Sequence, residues 1–385
     1  MKVLVVAESD AYLKWAAWLL ERAPDGWERE LVVLRSPIAP SPVQAEAALE
    51  ATAYDGATVP VVGIAGLRRR LRQVDAVVLA CTGPSIAAIS LLALPRRRTV
   101  RPVVVAGLPG VGLPVAERAI RSRRDVDVFV AHSRREVEAY RSGFAAAHSP
   151  TVVALAGLPF LDVEPASRAV DGDDRVVFAA QPSVPADRGH RIDLLRRLAA
   201  LGRPAPIVKL RASGGEATTH HEPWPYPSLW AELVGAGGVE PDAVEFVHGS
   251  LAAVLERARC LVTVSSTAVL EAMARNVPVL IVDDLGVDDH LLNAVFAGSD
   301  VFGPLDTAGI GRAGRPNARW LDHNYFHPRA EDDWIERIEE AVRRGPPRRV
   351  ARRPRFVAGA VRRAGRLVSH RPSSRDGLTD NLRVS

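Results

Sequence analysis

Short apolar runs recur along the first 340 residues, and a stretch with helical spacing follows most of them. The runs are nearly continuous in Val, Leu, Ile and Ala, which is typical of strands buried on both faces of a parallel sheet. In the first half they fall at 3–7, 31–34, 75–80, 102–106, 126–131 and 151–156. Helices are predicted between them, for example over 11–22 and 134–143. This alternation predicts an α/β fold.

A second alternating set follows an acidic stretch, 161–174, that is poor in aromatic residues. Its strands are predicted at 176–180, 207–210, 244–247, 260–264 and 277–282, with helices at 191–201, 251–259, 268–276 and 333–343. We therefore predict two tandem Rossmann-like doubly wound domains facing a cleft, with ligands beyond the carboxyl ends of the strands. The predicted boundaries are an N-terminal domain at 1–160, a linker at 161–174, a C-terminal domain at 175–343 and a tail at 344–385.

Positive charge is concentrated in the tail. Residues 343–385 hold thirteen of the 50 basic residues and only two acids, so the rest of the chain is net acidic. An amphipathic helix over 355–370 would contact an anionic membrane, and the alternative is a disordered tail. No aromatic residues interleave with the arginines as a stacking platform, so we expect no specific nucleic-acid partner.

Several protein classes are excluded by the remaining composition. No apolar run reaches the roughly 18 residues of a membrane span, and the first apolar run meets Glu8 and Asp10 too soon for a signal peptide. Cys81 and Cys260 fit neither a disulfide framework nor a zinc spacing. We expect a cytoplasmic protein without a metal, in peripheral contact with the inner face of the membrane if the tail binds there.

The segment 251–286 is the richest in candidate chemistry. Ser265, Ser266 and Thr267 stand between a predicted strand and a predicted helix, where hydroxyl groups cap the helix and backbone N–H groups face an anion. Glu271 lies one turn further along the same face and would accept hydrogen bonds from hydroxyl groups. The alternative is an ordinary helix cap that Glu271 closes.

The string VTVSSTAVLEAMARNVPVLIVD in this segment resembles the nucleotide-binding half of GT-B glycosyltransferases, nearest to bacterial sialyl-, capsule- and teichoic-acid-type enzymes. The resemblance implies a nucleotide-sugar co-substrate and no further cofactor. It also implies that Ser265, Ser266 and Thr267 hold the donor phosphate while Glu271 faces the ribose or sugar. Such enzymes often carry Lys-x-His-Pro after an earlier strand. Here Lys209 is present but His-Pro is absent, which leaves the donor base open.

Further donor-side candidates follow predicted strands of the second half. Lys209 is the only lysine after Lys14, and as a point charge it suits a diphosphate; Arg211 lies on the same strand face. Gln181 and His248 follow two other strands, and each is either a donor contact or part of an ordinary turn.

The first half should supply the acceptor side and the catalytic base. Glu8 and Asp10 follow the first strand, where a carboxylate can deprotonate an acceptor hydroxyl; the alternative for Asp10 is a helix cap. His132 is a further candidate base because histidine titrates near neutral pH. Gly107 and Gly110 allow close approach of the backbone, either to a ligand or within a tight turn.

We therefore predict transfer of a sugar from a nucleotide-sugar donor to a glycan or lipid-linked acceptor. Two alternatives stay open: a sugar-nucleotide epimerase that uses Asp10, Glu117 and His132, and a nucleotide-sugar or glycan-binding protein without catalysis.

Overall fold

The computed structural model describes residues 1–94, 101–158, 161–162, 174–210 and 222–345. The first half forms a seven-stranded sheet in which every paired strand is parallel. Its strands are β1 (Lys2–Ala7), β2 (Glu28–Leu34), β3 (Val61–Val62), β4 (Ala76–Ala80), β5 (Val103–Gly107), β6 (Val128–Ala131) and β7 (Val152–Leu155). Their order is β3-β2-β1-β4-β5-β6-β7, so the chain changes direction across the sheet between β1 and β4.

The second half forms a six-stranded parallel sheet with the same doubly wound connectivity. Its strands are β8 (Arg175–Ala179), β9 (Ile207–Lys209), β10 (Glu245–Val247), β11 (Ala258–Thr263), β12 (Val279–Val282) and β13 (Phe302–Gly303). The order β10-β9-β8-β11-β12-β13 places its switch point between β8 and β11. The predicted pair of Rossmann-like domains is confirmed.

Helices connect the strands in both domains. The first domain has α1 (Asp10–Glu21), α2 (Pro42–Leu49), α3 (Ile64–Arg70), α4 (Gly83–Leu92), α5 (Glu117–Arg123) and α6 (Arg134–Ala146). The second has α7 (Arg188–Ala200), α8 (Tyr226–Gly235), α9 (Leu251–Leu255), α10 (Ala268–Ala274), α11 (Thr307–Gly311), α12 (Ala318–His323) and α13 (Trp334–Arg344), with short 3₁₀ turns at Ala294–Phe296 and Arg329–Glu331.

Each sheet has an apolar core on both faces, as the continuous apolar runs predict. On β1, Val3, Val5 and Ala7 pack into one core. Leu4 and Val6 pack into another on the opposite face. Alternate side chains of a strand point to opposite sides, so a strand between two helical layers needs apolar residues at every position.

Helix α13 leaves the second domain and packs on the first. Trp334 and Ile338 belong to the core that contains Trp15 and Val105, and the Leu155 N–H donates to Asp333 Oδ1 at 2.7 Å. The C-terminal domain predicted at 175–343 is therefore too long at its C-terminal end. The predicted linker falls almost entirely outside the described residues, as does all of the predicted tail beyond Gly345.

The two domains also touch beside the cleft, through the first turn of α6. Arg135 Nη1 donates to the Val295 carbonyl at 2.9 Å and to Asn324 Oδ1 at 3.1 Å. The Tyr325 hydroxyl donates to Glu136 Oε1 at 2.8 Å. These contacts hold the carboxyl edges of the two sheets across from each other.

None of the helices in the described ranges is long and apolar enough to cross a membrane. Cys81 and Cys260 are both buried, and the Cys81 thiol donates to the Val6 carbonyl at 3.3 Å.

Candidate functional site

The corner after β11 is held by a chain of hydrogen bonds at the switch point. The Ser265 hydroxyl donates to Gln181 Oε1 at 2.7 Å, which joins the ends of β11 and β8. Thr263 Oγ1 donates to the Ala179 carbonyl and accepts from the Ser266 N–H. Gln181 and Ser265, predicted separately, therefore form one unit.

The two hydroxyls that follow have different environments. Ser266 Oγ accepts from the Ala268 N–H at 3.2 Å and so caps the start of α10. Thr267 makes no side-chain cap. It instead contacts the first domain: a Cβ built on Gly110 would lie 2.9 Å from Thr267 Cγ2. Gly110 thus allows the loop after β5 to approach this corner, which brings together predictions from both halves.

Two lysines and one carboxylate meet across the cleft beside this corner. Lys14 Nζ, on α1, lies 3.1 Å and 3.2 Å from the two carboxylate oxygens of Glu271, on α10. Lys209 is 9% exposed at the end of β9, and its Nζ donates to the Leu210 carbonyl at 2.6 Å. Burial lowers the pKa of Lys209 to about 8, while Glu271 raises that pKa and Lys14 lowers it, so all three interact.

Lys14 is a residue that sequence reasoning missed as a site candidate. Its scarcity was the available signal, because Lys2, Lys14 and Lys209 are the only lysines in the chain. Glu271, predicted to face donor hydroxyls, is ion-paired with Lys14.

The remaining donor-side candidates are less central. His248 is exposed at the end of the edge strand β10, which β9 separates from β8. Arg211 lies outside the described residues.

Glu8 lies between the ends of β1 and β4, at the switch point of the first sheet. Its carboxylate is fully buried and accepts hydrogen bonds from Thr82 N–H at 2.9 Å, Thr82 Oγ1 at 2.7 Å and Ser85 Oγ at 2.5 Å. A general base must reach the proton that it removes. This enclosure disfavours the predicted role of Glu8 as the base; Glu8 holds the end of β1 against the start of α4.

His132 is enclosed as well. Trp15 Nε1–H donates to His132 Nε2 at 2.8 Å, and His132 Nδ1 lies 2.8 Å from the Ala156 carbonyl. Burial lowers the pKa of the His132 ring and so favours its neutral form. This enclosure disfavours the predicted role of His132 as a base. Gly107 belongs to this packing, because a Cβ there would lie 2.6 Å from the Trp15 ring.

Asp10 is the candidate base that remains partly exposed. It is the first residue of α1 and is partly exposed, while Ser9 is the N-cap residue, so the helix-cap alternative for Asp10 is wrong. Lys14 lies four residues further on the same helix face and reaches Glu271. Asp10 is thus one turn from the cluster of lysines.

Glu136 is a second residue that sequence reasoning missed. It is buried, and it accepts hydrogen bonds from the Gly112 N–H at 2.6 Å, the His132 N–H at 2.8 Å and the Tyr325 hydroxyl. A single carboxylate thereby fixes the loop that carries Gly110 and joins it to the second domain.

No group of three or more His, Cys, Asp or Glu side chains in the described part of the chain is arranged to hold a metal ion. Asp127, which opens a strand in an Asp-x-Asp string, forms a buried pair with Arg101 at 2.6 Å and 2.7 Å. It also accepts from the Val104 N–H at 2.7 Å, so its role is structural.

Solved structures with similar folds cover most of the chain at low identity. S. aureus MnaA in its complex with UDP has 13% identity and a TM-score of 0.55 over 89% of this chain and 95% of its own. The Methanocaldococcus jannaschii UDP-GlcNAc 2-epimerase, bound to UDP-GlcNAc and UDP, has 11% identity and a TM-score of 0.52 over 89% and 99%. The Neisseria meningitidis UDP-GlcNAc 2-epimerase has 13% identity and a TM-score of 0.51 over 90% and 100%. These similarities confirm the fold.

The search of curated proteins finds no match. A family model, described as "Putative glycosyltransferase (DUF6716)", matches residues 3–341, which span both sheets and the site between them. With its two facing Rossmann-like domains, this chain is a GT-B glycosyltransferase-like protein and a member of that family.

Proposed function

We propose that this protein transfers a sugar from a nucleotide-sugar donor to a glycan or lipid-linked acceptor without the help of a metal ion. The observation that carries the proposal is the pairing of Lys14 with Glu271 on α10, the helix that the Ser266–Thr267 corner opens, with Lys209 near enough for both charges to act on its pKa. In doubly wound folds this edge is where nucleotides bind.

The charges at this place suit a departing diphosphate. Ammonium groups are compact donors that stabilise negative charge as it develops on a leaving group. Two ammonium groups supply the positive charge that a divalent cation supplies in metal-dependent enzymes, and the hydroxyl groups of the corner add hydrogen bonds. Glu271 balances Lys14 before the donor arrives and would then be free to accept from a donor hydroxyl.

The acceptor side is assigned to Asp10. Its carboxylate stands at the end of β1, one helical turn from Lys14, where it would remove the acceptor proton during transfer. Peripheral membrane contact through the tail would bring a lipid-linked acceptor to the same opening, and it stays a prediction.

The geometry disfavours the epimerase alternative. Glu117 is 84% exposed and paired with Arg121, while His132 is enclosed. The structure therefore does not gather Asp10, Glu117 and His132 around one sugar. Incubating the protein with a panel of nucleotide sugars, and separating transfer, hydrolysis and epimerisation products, distinguishes all three functions. A binding protein would leave every nucleotide sugar intact.

The donor site is tested at the corner. The double variant Ser266→Ala, Thr267→Ala should weaken nucleotide binding by about 1–2 kcal/mol through lost hydrogen bonds. Calorimetry with UDP, GDP, CDP and ADP measures this, alongside melting temperatures. Thr307→Ala, an exposed hydroxyl on the first turn of α11, is the matched control. Equal affinity in the double variant and the parent would contradict the donor-phosphate assignment.

Diphosphate binding should also depend on pH. Lys209, with a pKa lowered to about 8, is charged below that pH and neutral above it. Because the anion binds the charged form, the Kd for the best nucleoside diphosphate should rise between pH 8 and 9.5. The Kd for the nucleoside should stay constant. A diphosphate Kd that is flat over this range would show that the charge of Lys209 does not contribute.

A further inference from the structure

Helix α7 carries a fully buried guanidinium group whose hydrogen-bonding capacity is completely used. An arginine side chain has five N–H donors in a planar fork. In Arg191 each donor has an acceptor in the described residues: Pro185 O at 2.8 Å, Glu222 Oε1 at 2.7 Å, Trp224 O at 2.8 Å, Gln181 O at 3.1 Å and Pro182 O at 2.5 Å. The Tyr226 ring lies 4.7 Å from its central carbon.

These acceptors belong to two separate loops on the donor side of the cleft. Gln181, Pro182 and Pro185 follow β8, while Glu222 and Trp224 precede α8. The guanidinium group, with five donors in a rigid fork, holds carbonyl groups of both loops at once, which a flexible ammonium with three donors cannot reproduce. Arg191 therefore sets how the two loops lie against each other.

One of the loops leads directly to the corner after β11. Arg191 holds the Gln181 backbone carbonyl, and Ser265 holds the Gln181 side-chain oxygen. With its backbone held by Arg191 and its side-chain oxygen held by Ser265, Gln181 has less conformational freedom to lose when a ligand binds, and such preorganisation raises affinity. Arg191 is a buried cation with one carboxylate partner, Glu222, so its carbonyl partners are needed to offset the cost of burying the charge.

We propose that Arg191 is a positioning residue of the donor site and that it acts through Gln181. The inference rests on the proposed function, since it concerns the affinity for the nucleotide donor. It adds a residue on α7 that does not itself touch the donor.

A double-mutant cycle tests this. Arg191→Lys keeps the charge but offers fewer donors, and it should weaken binding of the tightest nucleoside diphosphate among UDP, GDP, CDP and ADP about tenfold. In a Gln181→Ala background the same change should have almost no further effect, because its route to the donor is already gone. Arg196→Lys, an exposed arginine on the same helix, is the matched control and should bind like the parent.

Calorimetry well below each melting temperature separates positioning from stability. A purely structural Arg191 would lower the melting temperature and leave the Kd unchanged, or the fold-losses of Arg191→Lys and Gln181→Ala would simply multiply in the double variant; either result overturns the inference.

If Arg191→Lys does not fold, Glu222→Gln takes its place in the cycle. We expect it to weaken binding roughly threefold, because it weakens one charge-assisted hydrogen bond, and we expect this loss to vanish in the Gln181→Ala background. A Glu222→Gln variant that binds like the parent then overturns the inference. A parent protein that binds none of the four diphosphates overturns the proposed function and this inference with it. Normal parent binding with no effect of Arg191 overturns the inference alone.

Discussion

Replacement of Asp10 by asparagine should lower the turnover number about a hundredfold, the scale of a lost general base, and leave donor affinity within about twofold of the parent. The physical reason is access. Asp10 is partly exposed at the start of α1, just after β1, and Lys14, one turn further along the same helix, pairs with Glu271. Its carboxylate can accept a proton from an acceptor hydroxyl there, whereas an amide cannot. Turnover with saturating donor and acceptor measures the effect, and calorimetry measures the donor affinity.

Glu8→Gln and His132→Gln are the controls for Asp10→Asn, and both should lower the stability of the protein rather than its turnover number. The Glu8 carboxylate accepts three hydrogen bonds inside the protein, so an amide there should cost about 1–3 kcal/mol of unfolding free energy. Turnover of the folded Glu8 variant should change little. If Asp10→Asn transfers sugar at the parental rate while either control slows it without loss of stability, the base lies elsewhere. If all three variants keep the parental rate, acid–base catalysis by the first domain is wrong.

Lys209→Met should weaken binding of a nucleoside diphosphate roughly thirty- to hundredfold, which corresponds to about 2–3 kcal/mol for a hydrogen bond to a charged group. Methionine keeps the length of the buried stem and removes only the charge. The nucleoside without phosphates should therefore bind the variant and the parent alike. Titration calorimetry of both ligands at pH 7, where Lys209 is charged in the parent, measures the difference.

Lys2→Met is the matched control for Lys209→Met. Lys2 is the first residue of β1, at the end of the strand away from the proposed donor site, and its side chain is 57% exposed and paired with Glu28. Its loss should therefore leave the affinities for the nucleoside and the nucleoside diphosphate unchanged. A variant at Lys209 that loses nucleoside and diphosphate affinity equally would show a packing role. The pH dependence expected above pH 8 should disappear in Lys209→Met at the same time.

Local sequence was sufficient for the repeated strands, the two domains and the corner after β11. The apolar runs at 3–7 and 260–264 are continuous because both faces of their strands are covered, and this requirement is visible in the residues themselves. The edge strands β3 and β13 are two residues long, and so short a segment leaves no periodicity to detect.

The roles of the polar residues depended on distant neighbours. Glu8 and Asp10 are two positions apart and equally acidic, yet one is enclosed by Thr82 and Ser85 and the other is partly exposed. Likewise, nothing local to Trp334 shows that its helix returns to the first domain.

The sequence by itself determined the α/β architecture, which follows from residues that are neighbours in the chain, and it predicted the hydroxyl corner and Lys209 as donor-side candidates. Only the tertiary structure decided which carboxylate keeps access to the cleft, that Lys14 pairs with Glu271 and that Arg191 holds Gln181. Burial and ion pairing are set by residues far apart in sequence, as in the 257-residue separation of Lys14 and Glu271, and no local pattern encodes such a contact.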